Sequence, residues 1–63
     1  MLIEGWRAGA SQTEAVKAIH KHTGFTLQKS RELVKQINSG QVVKLPDDFV
    51  LREDLKDLGF IVR

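Results

Sequence analysis

The 63-residue chain has no cysteine and no tyrosine, and only one proline and one tryptophan. Without cysteine, no disulfide can staple the domain and no thiolate can hold a metal. No apolar run approaches the roughly 20 residues that a helix needs to cross a bilayer. Met1-Leu2-Ile3 meets Glu4 at once, which does not read as a signal peptide. A glycine-rich phosphate loop and a Ser/His/Asp set are also missing, so the sequence does not read as an enzyme. The expectation is a single cytoplasmic domain over residues 1–63, with no cofactor, no metal and no membrane partner. A chain this short buries about 60% of the surface it exposes when unfolded, and its stability is expected to be a few kcal/mol.

Two histidines remain as candidate ligands. His20 and His22 stand two positions apart, so on a helix they diverge and cannot form the i, i+4 pair of a helical zinc site. Both are read as solvated side chains. Asp47-Asp48 are read as helix caps rather than as an acid and a base.

The net charge is only +2, but it is unevenly placed. Residues 1–44 carry seven Lys/Arg against three Asp/Glu, whereas residues 45–63 carry three against five. The first part is therefore basic and the second acidic, which points to an acidic partner for the first part.

The stretch Ser11–Ile37 organises the chain. Ser11 and Glu14 have the S-x-x-E spacing of a capping box at a helix start. Ala15, Val16 and Ile19 follow at helical spacing, predicting a helix over 12–23 that stops at Gly24. Thr26 then caps a second helix over 27–37, with Leu27, Ser30, Leu33, Val34 and Ile37 on its inner face. Gln28, Lys29, Arg31, Glu32 and Lys35 face outward, and Glu32 can pair with Lys29 or Lys35. The hairpin thus has an aliphatic side and a basic side.

The flanks supply the rest of the fold. Met1-Leu2-Ile3 predicts a short strand that Gly5 ends or bends. Trp6 reads as a ring over one edge of the core. Gln41–Leu45 predicts a short strand ended by Pro46, and Pro46-Asp47-Asp48 opens a third helix. Val50 or Leu51, with Leu55 and Leu58, forms its inner stripe, and Gly59 closes it. Phe60-Ile61-Val62 is the clearest strand signal. The order β-α-α-β-α-β predicts a two-layer α+β fold with three helices on one face of a small sheet.

Gly9-Ala10, Val16-Lys17, Thr23-Gly24, Leu27, Leu33-Val34 and Leu58-Gly59 carry a resemblance. In order and spacing the chain resembles the C-terminal domain of the bacterial large-subunit ribosomal stalk protein. That resemblance implies the same β-α-α-β-α-β architecture, with the first two helices binding translation GTPases. Carried over position by position, Val16 and Lys17 match, and Arg31 keeps a lysine's charge. His20 stands where arginine is usual, Gln12 where lysine is usual, and Thr26 replaces a glycine. Because the chain starts at the first strand, the expectation is a stand-alone domain without the stalk protein's dimerisation domain and hinge, of phage or bacterial paralogue type.

The function read from the sequence is a small protein-interaction module in translation or phage and host regulation. It would bind an acidic protein partner through Gln12, Val16, Lys17, His20, Gln28 and Arg31. The alternative is nucleic-acid binding. Two helices joined at a glycine bend resemble a helix-turn-helix, and Gln28, Lys29 and Arg31 are residue types that contact bases and phosphates.

Overall fold

A computed structural model describes residues 1–63. The elements are β1 (Leu2–Trp6), α1 (Gln12–Thr23), α2 (Leu27–Asn38), β2 (Val43–Lys44), α3 (Phe49–Asp57) and β3 (Phe60–Val62). The three helices pack on a three-stranded antiparallel sheet of order β2-β1-β3, giving an α+β fold. No helix is long and apolar enough to cross a membrane.

Local chemistry sets each helix. Ser11 accepts a hydrogen bond from the Glu14 amide at 3.3 Å, Thr26 from Lys29 at 3.0 Å, and Asp48 from Leu51 at 3.0 Å. Each cap satisfies an amide that the first helical turn leaves unpaired. Gly24 ends α1 in the left-handed region at φ 78°. Thr23 secures the bend, its hydroxyl donating to the Ile19 carbonyl at 2.6 Å and accepting from the Phe25 amide at 3.1 Å. Only Gly24, Phe25 and Thr26 separate α1 from α2, so the helices must fold back on each other.

Central β1 seats the sheet layer. Ile3 lies opposite Val43 on one side and Val62 on the other. Glu4 is the extra residue of a bulge, because Ile3 faces Val62 while Gly5 already faces Ile61. The bulge changes the alternation, bringing Trp6 opposite buried Phe60. Gly5 therefore bends the strand without ending it. Glu4 on β1 reaches across to Arg63, just past β3, at 3.2 Å.

Ile3, Ile19, Ile37, Leu45, Leu51 and Leu55 are almost wholly shielded, and Met1, Ala15, Leu33, Val34, Val43 and Phe60 complete the core around them. Each buried aliphatic side chain contributes about 1.5–3 kcal/mol relative to exposure, which offsets the ordering entropy of a chain this short.

Several expectations are corrected. The second strand is two residues, not five, and Val42 before it is exposed. α2 runs one residue further, to Asn38. Val50 lies outside the α3 stripe, which Leu51 and Leu55 form. Trp6 is 40% exposed and so covers the core edge only in part. Asp47 is not a cap: its carboxylate binds the Met1 ammonium at 2.7 Å, and Asp48 alone caps α3.

The capping box is half formed. Ser11 accepts from the Glu14 amide, but its own amide donates to the Leu58 carbonyl at 3.2 Å. The Glu14 carboxylate lies instead 3.6 Å from Lys17. Glu32, expected to pair with Lys29 or Lys35, forms no ion pair.

Candidate functional site

The bend at Gly24 lays α1 and α2 side by side and leaves a groove of about 450 Å³ between them. Its apolar surface comes from Val16 on α1 and from Leu27 and Val34 on α2. Lys17, Arg31 and Lys35 bring positive charge to it. Gln12, Thr13 and Asn38 complete the lining at the end where α1 begins and α2 finishes. No carboxylate lines the groove. It can therefore take an apolar side chain between the helices while offering cations to a negative neighbour.

Of the six residues expected at the site, Gln12, Val16, Lys17 and Arg31 are brought together in this groove. The other two are not in its lining. His20 turns to the bend, where its Nδ1 hydrogen-bonds the Phe25 carbonyl. A carbonyl only accepts, so Nδ1 carries the proton in that contact. Gln28 is exposed on α2 but outside the groove.

Five lining residues were not in the expected set: Thr13, Leu27, Val34, Lys35 and Asn38. Leu27 was assigned to the buried face, yet it is 44% exposed. A spacing signal existed. Leu27, Arg31, Val34, Lys35 and Asn38 recur at three- and four-residue steps, tracing a stripe along the border between the inner and outer faces of α2. Asn38 carries the one buried side-chain oxygen without a hydrogen-bond partner, Oδ1.

A second hollow, of about 300 Å³, lies between α1 and α3. Lys17, Lys21 and His22 line it from α1, together with Glu14, and Asp54 and Asp57 line it from α3. His22 is not a solvated side chain. It is only 16% exposed, and its Nε2 contacts Asp54 Oδ2 at 3.1 Å. No three His, Asp or Glu side chains converge on a point where a metal ion could bind.

Lys17 lines both hollows. It stands on the ridge of α1 that separates them, with Glu14 on the α3 side only.

No family model, curated protein or solved structure matches the chain.

Proposed function

We propose that the protein is a non-enzymatic interaction module, and that the α1–α2 groove binds an acidic, partly apolar segment of a partner protein. One observation carries this reading: Lys17, Arg31 and Lys35 share one groove lining with Val16, exposed Leu27 and buried Val34, and no carboxylate joins them. Apolar contact supplies affinity, while the cations orient the partner and speed encounter. The apolar component favours a protein segment over a phosphate backbone, which is held mainly by charge and hydrogen bonds. The resemblance to the stalk-protein domain supports the same surface and suggests a cytoplasmic partner such as a translation GTPase.

The test is charge reversal. Lys17→Glu combined with Arg31→Glu is expected to abolish partner capture from cell extract while leaving the circular dichroism spectrum unchanged. Capture is expected to survive nuclease treatment. Undiminished capture by the double variant overturns the assignment of the groove. Nuclease-sensitive capture that weakens steeply with salt points to nucleic acid instead.

A further inference from the structure

Resting on the docking role of the groove, we infer that Glu14 is a built-in competitor for the partner's carboxylate at Lys17, offsetting part of that cation's charge until the partner displaces it. Four observations meet here. First, the S-x-x-E spacing would normally engage Glu14 with the Ser11 amide, but the Leu58 carbonyl already takes that amide, at 3.2 Å. The Glu14 carboxylate is thereby released from its capping task. Second, it contacts Lys17 one turn along α1, at 3.6 Å. Third, Lys17 is the one side chain that lines both hollows, while Glu14 lines only the α1–α3 hollow. The internal carboxylate therefore neighbours the Lys17 ammonium without itself entering the groove lining. Fourth, the other two groove cations, Arg31 and Lys35, belong to no ion pair. Only Lys17 must change partners when an acidic segment docks.

Lys17 and Glu14 are both largely exposed, at 67% and 56%. Their exchange is therefore cheap, and it tunes affinity rather than blocking binding. Glu14 acts through Lys17 and is a positioning residue. It also sets selectivity: a partner must offer a carboxylate at the Lys17 end of the groove to exceed what Glu14 already provides. A neutral apolar segment gains nothing from displacing it.

The experiment is a double-mutant cycle. The probe is a fluorescein-labelled twelve-residue amphipathic peptide with leucines at i, i+4 and i+7 and glutamates beside them. Its affinity is measured by fluorescence anisotropy at low salt. Glu14→Gln keeps the backbone amide that Ser11 caps, so the fold is preserved. This variant is expected to bind about two- to threefold more tightly than wild type. In the Lys17→Met background the same change is expected to give no gain. Equal gains in both backgrounds would show a general field effect and overturn the inference, as would no gain in either. Binding by wild type that is lost with Arg31→Glu but unaffected by Glu14→Gln defeats the inference and leaves the docking role intact. A probe bound by neither wild type nor Glu14→Gln defeats both.

Discussion

His22 Nε2 lies 3.1 Å from Asp54 Oδ2, joining the last turn of α1 to the middle of α3 across 32 positions of sequence. It is the only hydrogen bond between side chains of two different helices. Because the imidazole is mostly covered, replacing it removes both a hydrogen bond and packing. His22→Ala is expected to lower unfolding stability by about 1 kcal/mol, read from urea midpoints. Asp54→Asn, which keeps an oxygen acceptor, is expected to cost less.

Asp47 yields a pH prediction. The hydrogen bond from the Met1 ammonium holds its carboxyl below the ordinary value of 3.8, and the attraction of the same charge adds to this. A carboxyl whose pKa is lowered on folding stabilises the native state above its unfolded value. That contribution is lost as pH falls through the native value. The urea midpoint of the wild type is therefore expected to exceed that of Asp47→Asn by a constant margin from about pH 5 to about pH 7, where the ammonium keeps its charge. The margin should shrink below about pH 4 and vanish in stronger acid. A margin unchanged down to pH 2 would show that the ammonium contact does not form in solution.

Gly24 and Gly59 both end helices with positive φ, at 78° and 99°, but their surroundings differ. A Cβ on Gly24 would meet nothing within 4 Å, so Gly24→Ala is expected to cost only the conformational strain, about 1–2 kcal/mol. A Cβ on Gly59 would stand 3.1 Å from the Ala10 Cβ and 3.2 Å from its Cα. Gly59→Ala therefore adds a steric shift of the chain leading into α1 and is expected to be the more destabilising. Thermal melts of the two variants, compared side by side, check the order.

The groove separates residues of similar chemistry. Lys35 lines it and Gln28 does not, although both are exposed on α2. Lys35→Glu is expected to weaken binding of the acidic peptide about fivefold. Gln28→Ala and His20→Ala are expected to leave it within about twofold. A larger loss from Gln28→Ala than from Lys35→Glu would move the contact to the outer face of α2.

Much of the fold was legible because its boundaries are written in local chemistry. Ser11 and Gly24 bracket α1, Thr26 opens α2, and Asp48 opens α3, each through contacts within a few residues. What was misread depends on distant partners. The Glu14 carboxylate contacts Lys17 instead of capping because the Leu58 carbonyl takes the Ser11 amide, and His22 is held by Asp54. Gly5 stays within β1 because β3 pairs past the bulge at Glu4. Val34 lies in the core as its spacing predicts, whereas Leu27 on the same stripe is exposed, because helical periodicity gives a direction, not the depth to which a neighbouring helix covers it. The groove exists at that partly covered border, so its charged residues were easier to find than its apolar ones.

The position of Lys17 on the ridge governs how mutational maps of this protein should be read. Any lesion there perturbs two neighbouring depressions at once, and a phenotype at position 17 belongs to neither by default. Arg31 and Asp57 each face one depression only. Paired with Lys17, they tell a scan which side of α1 a partner has touched.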